Sequence, residues 1–110
     1  MAVVLVAATA AAQMEPNAAE FMRSAHSSMA RMGQDMEAAP MDANIDHNFA
    51  SMMLPHHRGA IDMAKAELSY GKDPVMRRLA QEILVDQQSE IDTMQLWLNK
   101  NGYGSAKKEK

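Results

Sequence analysis

Six residues in the middle of the chain concentrate its chemistry. Met52-Met53-Leu54-Pro55-His56-His57 sets two thioethers and two imidazoles around one proline. Sulfur and imidazole are soft and borderline donors, the set that suits Cu(I), Ag(I) or Zn(II). Half of the four histidines of this 110-residue chain lie in this stretch, and methionine is used 12 times. Cysteine is absent, which excludes disulfide staples, thiolate metal sites, thiol nucleophiles and cysteine-bound cofactors. A formal net charge of −3 gives no global basic field to hold nucleic acid or anionic lipid. No nucleophile–base set is visible, so an enzyme is not expected.

The elements that must position these donors read as helices. With 47% hydrophobic residues but only 5% aromatic ones, the core has to be built from Ala, Leu, Ile and Met. Residues 1–12 form a short apolar run ending in Ala10-Ala11-Ala12, which fits an Ala-x-Ala cleavage site before Gln13. The run is too short to span a bilayer. It carries no Lys or Arg, so a secretory signal there, truncated at its start, competes with an apolar turn packed on the domain. A single helical domain is expected over residues 16–101, with helices at about 17–38, 43–70 and 74–100, and a charged tail over 102–110.

The first helix opens with Asn17 and Glu20 in a capping-box pattern. Met22, His26, Met29 and Met36 fall on one arc, with Met32 at its edge, and Gly33 weakens or ends the helix. Such a stripe reads first as core and second as a ligand line. Asp42 or Asn44 can cap the second helix. Ile45, Phe49, Met52, His56, Ala60 and Met63 make one line on it, and Met53, His57, Ala64 and Leu68 the next. Both histidines of the central stretch then face the apolar side. Asp46 and His47 are polar neighbours without an assigned role. Pro55 predicts a kink one turn before the histidines. Gly71-Lys72-Asp73-Pro74 predicts a left-handed helix end at Gly71, a cap at Asp73 and an antiparallel neighbour starting at Pro74. On the third helix Met76, Ala80, Ile83, Gln87, Ile91, Met94 and Leu98 share one face, where Gln87 and the nearby Glu90 are out of place unless partnered.

Register follows from the turns. Reflection about residue 72 sets His56 and His57 opposite Gln87 and Gln88, and Met53 opposite Ile91, within one turn of Glu90 and Met94. The same operation about residue 39–40 sets Met22 near His56 or His57, and His26 near Met52 or Met53. Two readings of this layer stay open. One is a hydrogen-bonded network, with Glu90 and Gln87 holding the imidazoles in a methionine core. The other is a metal site with Met and His as ligands and Glu90 or Gln87 fixing the ring tautomer.

The run Phe49-x-x-Met52-Met53-x-Pro55-His56-His57-x-Gly59-Ala60-Ile61-Asp62-Met63-Ala64 resembles the family of domain of unknown function 305. So do Tyr70-Gly71-Lys72-Asp73-Pro74, Leu79-Ala80-x-Glu82-Ile83 and Gln87-x-x-Glu90-Ile91-x-x-Met94-x-x-Trp97-Leu98. The resemblance implies a ferritin-like helical bundle and a likeness to CopM-like periplasmic copper-binding proteins. It implies Met52, Met53, His56, His57, Met63 and Met94 as ligands of copper or silver. Met22, His26 and Met29 are weaker candidates and rest on register alone. Ferritin-like di-iron sites use Glu-x-x-His pairs, and this sequence has none; His-Glu-x-x-His is absent as well.

The expectation is an all-α bundle of three main helices around a central antiparallel hairpin, with self-association able to complete a larger bundle. Its expected role is periplasmic or secreted binding of copper, with Cu(I) favoured over Cu(II) or Ag(I), for sequestration or hand-off. No nucleic-acid partner and no membrane span after signal removal are expected. The alternative is a metal-free interaction or dimerisation module with a Met-rich contact face.

Overall fold

The computed structural model describes residues 15–104. Three helices follow one another: α1 (Ala18–Glu37), α2 (Ile45–Tyr70) and α3 (Pro74–Lys100), and the described residues contain no strand. The protein is an all-α helical bundle. The apolar run 1–12 and residues 105–110 of the charged tail lie outside the described residues. Among those described, no helix is long and apolar enough to cross a membrane.

The helix ends show which local signals act. The Asp73 carboxylate accepts from the backbone N–H groups of Val75 and Met76, with Pro74 in the first turn. The Asn44 side chain accepts from the His47 N–H at the start of α2. Asn17, in contrast, makes no side-chain cap bond, so the capping box expected there does not form. Gly33 lies inside α1, which runs on to Glu37. Gly71 is extended (φ −78, ψ 159), not left-handed. The reason lies in α3: the Arg77 guanidinium donates to the carbonyls of Leu68 and Gly71, satisfying groups that a left-handed turn usually serves.

α2 is the shared element. α1 and α3 each pack on it and do not approach one another closely. Towards α3 it buries Ala50, Leu54 and Ile61 against Ile91 and Leu98, with Leu84, Met94 and Trp97 packed around them. Towards α1 the buried groups are small. Ala25 and Ser28 are the buried residues of α1. Met32 lies over Gly59, where a Cβ would come within 2.8 Å of its sulfur, and Arg31 pairs with Asp62 at 3.0 Å. Small residues let these two backbones come close, so α1 turns its Ala25–Ser28–Met32 line inward. Met22, His26 and Met29 are exposed as a result, and the expected Met stripe is not the core contact.

The α1–α2 register also departs from expectation. With Met32 opposite Gly59, Met36 falls level with Pro55, His26 with Lys65, and Met22 with Ser69. His26 is therefore about 18 Å along α2 from Met53, and Met22 about 18 Å from His57. The cause is the connection 38–44. Asp42 and Asn48 hold each other through Asp42 N–H to Asn48 Oδ1 and Asn48 Nδ2 to the Asp42 carbonyl, both 2.9 Å. Ala38, Ala39 and Pro40 border one cavity with Ser51, Leu54 and Pro55. The linker runs alongside the first turns of α2 and does not reverse on the spot, so α1 ends beside Pro55. Pro55 itself is buried, and α2 continues unbroken through it.

The stability of the bundle rests on the α2–α3 seam. Truncating Ile91 to Ala is expected to cost about 2–5 kcal/mol. Truncating Val85, which is exposed, is expected to stay within about 0.5 kcal/mol. Urea unfolding of the two variants followed by circular dichroism checks the contrast.

Candidate functional site

His57 is 6% exposed and points into the α2–α3 seam. Its Nε2 lies 2.5 Å from Glu90 Oε1, a short contact that ties the two helices together. The Glu90 side chain is 59% exposed, so water reaches the carboxylate from one side and the ring from neither. His57 Nδ1 is buried and has no hydrogen-bond partner, and neither has the buried Oε1 of Gln87, one turn before Glu90 on α3. A buried polar atom without a partner is costly and calls for a reason.

The pairing of His57 with Glu90 also fixes the level of the thioethers. Met53, one turn before His57, falls level with Met94 on α3. Both are half-buried, as is Met63 two turns further along α2. Met52 and His56 occupy the adjacent line and are exposed. The His56 and His57 ring centroids are 6.0 Å apart with the planes tilted by 59°. A metal sits about 3 Å from the centre of an imidazole that binds it, given a metal–nitrogen bond of about 2.0–2.1 Å. Among the described residues no group of three or more His, Asp or Glu side chains is arranged to hold a metal, so an ion in this layer depends on sulfur. Of the sequence candidates, the fold gathers Met53, His57, Met94, Gln87 and Glu90. It sets Met52 and His56 beside them and leaves Met22, His26 and Met29 elsewhere. The α1 methionine nearest in level is Met36.

The line Ile45, Phe49, Met52 and His56 was expected to face the apolar interior. It faces outward: Ile45 is 81% and Phe49 61% exposed. α1 and α3 flank α2 on other sides, and no described element lies over this line.

A second polar cluster has no counterpart in the sequence reading. His47 is 4% exposed. Its Nε2 lies 3.1 Å from Ser51 Oγ, and its Nδ1 lies 3.0 Å from Asp42 Oδ1, off the line of a good hydrogen bond. Its ring stacks on Tyr103 at 3.7 Å between centroids and 9° between planes. The Tyr103 hydroxyl donates to Asp42 Oδ2 at 2.9 Å, and the Asn44 N–H donates to Asp42 Oδ1 at 2.8 Å. Tyr103 falls in the stretch 102–110 expected as a charged tail. Gly102 adopts φ 87, which turns the chain back and lays Tyr103 on His47 and near Trp97. The i, i+4 spacing of His47 and Ser51 was the available signal. The partners from the linker and the C-terminal end were not visible without the fold.

This cluster has a pH signature. The Asn44 N–H, the Tyr103 hydroxyl and His47 together outweigh desolvation and hold the Asp42 carboxyl below its usual 3.8. The same bond to Asp42, aided by desolvation and charge, raises the Tyr103 phenol above 10.0. The fold thus prefers ionised Asp42, and that share of stability is present above 3.8 and lost as the pH falls through the lower folded value. It prefers neutral Tyr103, and that share is present below 10.0 and lost as the pH rises through the higher folded value. Melting temperatures of wild type and Asp42→Asn are expected to differ at neutral pH and to converge in acid. Those of wild type and Tyr103→Phe are expected to converge in alkali.

Comparison with known proteins adds a family. A family model described as "Domain of unknown function (DUF305)" matches residues 1–98. An uncharacterized protein of Acanthamoeba polyphaga mimivirus is 41% identical over 49 residues, covering 44% of this chain and 32% of the viral protein. The chain thus spans about a third of that relative's length, and the relative carries no described activity.

Proposed function

The chain belongs to the DUF305 family, and within it we propose that this protein binds Cu(I) in the seam between α2 and α3, for sequestration or hand-off. The observation that carries the proposal is the unpartnered, buried Nδ1 of His57. Glu90 takes the proton side of the ring at Nε2 and so leaves the Nδ1 lone pair free. This is how a carboxylate partner sets the tautomer of a ligating imidazole. His57, Met53 and Met94 would hold the ion, with His56 and Met52 on the outer line and Met63 two turns along. Thioethers are neutral, soft donors, which suits a cuprous ion that must be released again. Cu(II) and Ag(I) are the other ions this donor set admits. The lack of cysteine and the apolar run 1–12 support work outside the cytoplasm, in a periplasmic or secreted setting.

Titration against a chromophoric Cu(I) chelator tests this. Wild type is expected to withdraw copper from the chelator, His57→Ala to lose that capacity, and Glu90→Gln to weaken it by about 10–100-fold. His26→Ala and Met22→Ala are expected to leave it unchanged, because those residues lie about 12 Å and about 18 Å along α2 from the level of His57. A wild type that takes no copper ends the reading.

The outward line of Ile45, Phe49 and Met52 favours a second reading, in which a Met-rich face joins two copies of the chain. Sedimentation separates the two. A metal-free dimer that Phe49→Asp converts to a monomer supports the contact face, and a monomer at all concentrations with or without copper rejects it.

A further inference from the structure

The cluster at the start of α2 holds a chemical arrangement that metal binding does not use. Ser51 Oγ, His47 and Asp42 stand in the order hydroxyl, imidazole, carboxylate, with separations of 3.1 Å and 3.0 Å. This is the order of a nucleophile, a general base and the group that orients the base. The ring is held in place by stacking on Tyr103. The carboxylate is held by the Asn44 N–H and the Tyr103 hydroxyl and stays ionised. The imperfect alignment at Nδ1 is common in ligand-free sites and tightens when substrate binds.

Ser51 and His47 are buried, yet both border a cavity of about 260 Å³. Leu54, Pro55 and Leu98 supply its apolar wall, and Arg58 faces into it. Arg58 lies seven residues after Ser51, on the same side of α2. The helix commits the backbone N–H groups around Ser51 to its own hydrogen bonds, so an arginine is the available group to meet a developing oxyanion. The small volume admits a short acyl chain.

We propose that Ser51, His47 and Asp42 form a second site, which hydrolyses small carboxylic esters through an acyl-serine. His47 Nε2 accepts the Ser51 proton as Oγ bonds to the acyl carbon, and Arg58 meets the charge on the carbonyl oxygen. The carbon–oxygen bond to the alcohol then breaks, and the alcohol leaves with the proton from His47. Water enters, gives a proton to His47 and bonds to the acyl carbon. The acid departs, and the proton returns to Ser51. Nothing is oxidised or reduced, and no co-reactant beyond water is required. Met53, His57 and Met94 take no part, so the site works with or without bound metal.

The full chain, freed of metal with a chelator, is incubated with a fluorophosphonate probe and followed by intact mass and peptide mapping. Release of p-nitrophenol from p-nitrophenyl acetate is recorded in parallel. One adduct per chain on Ser51 is expected, absent in Ser51→Ala. His47→Gln is expected to slow labelling by about 100-fold. Because His47 is also packed in the fold, Arg58→Gln at an exposed position serves as the independent variant, with an expected loss of about tenfold or more. A folded wild type that stays unlabelled at Ser51 overturns the site. So does Ser51 labelling that proceeds at the wild-type rate in Arg58→Gln.

Discussion

Burial of α2 on two sides by helices that do not meet one another governs the rest of the molecule. The α3 side is built from branched side chains, Leu54 and Ile61 against Ile91 and Leu98. The α1 side is built from Ala25, Ser28 and the Met32–Gly59 approach. The first stores most of the apolar burial, and the second brings two backbones close with little of it. What remains of the α2 circumference is open in two directions. One bears Ile45, Phe49, Met52 and His56, and the other bears the cavities along Ser51, Arg58 and Asp62. The polar pairs of the buried histidines, His57 with Glu90 and His47 with Ser51, lie at the boundaries between the covered and uncovered strips.

That geometry explains why one histidine of the pair is inside and its neighbour outside. Successive residues on a helix point 100° apart, so His57 enters the α3 seam while His56 reaches the open strip. A soft ion placed between them would touch both a dry and a wet environment. The Glu90 carboxylate has the same dual position, bonded to a buried ring and open to water.

Much of the α2–α3 hairpin was legible in the sequence because its signals are local. Asp73-Pro74 states a helix start, the short turn dictates an antiparallel neighbour, and Gln87 and Glu90 on an apolar face announce a buried partner. The hydrogen bond between His57 and Glu90 lies within one turn of the expected level. The α1 side was not legible, since its register depends on a seven-residue linker (38–44) whose path is set by side-chain bonds between Asp42, Asn44 and Asn48. Periodicity alone also favoured the methionines of α1 as its inner face. Packing chose the line of Ala25, Ser28 and Met32, with the Met32 thioether seated over Gly59. The position of Tyr103 was hidden for a related reason: a glycine two residues past a helix reads as an end, and the left-handed turn at Gly102 makes it a return.

The return of Tyr103 to Asp42 joins positions 61 residues apart in the chain. The hairpin of α2 and α3 needs only a three-residue turn, so its loop closes at small entropic expense. The clasp between linker and C-terminal end closes a far longer loop and gains little until both helices are docked. Folding therefore has a natural sequence, with the hairpin as nucleus and the tyrosine latch as the last part to settle. The same hierarchy makes the latch the first part to let go when the chain begins to unfold.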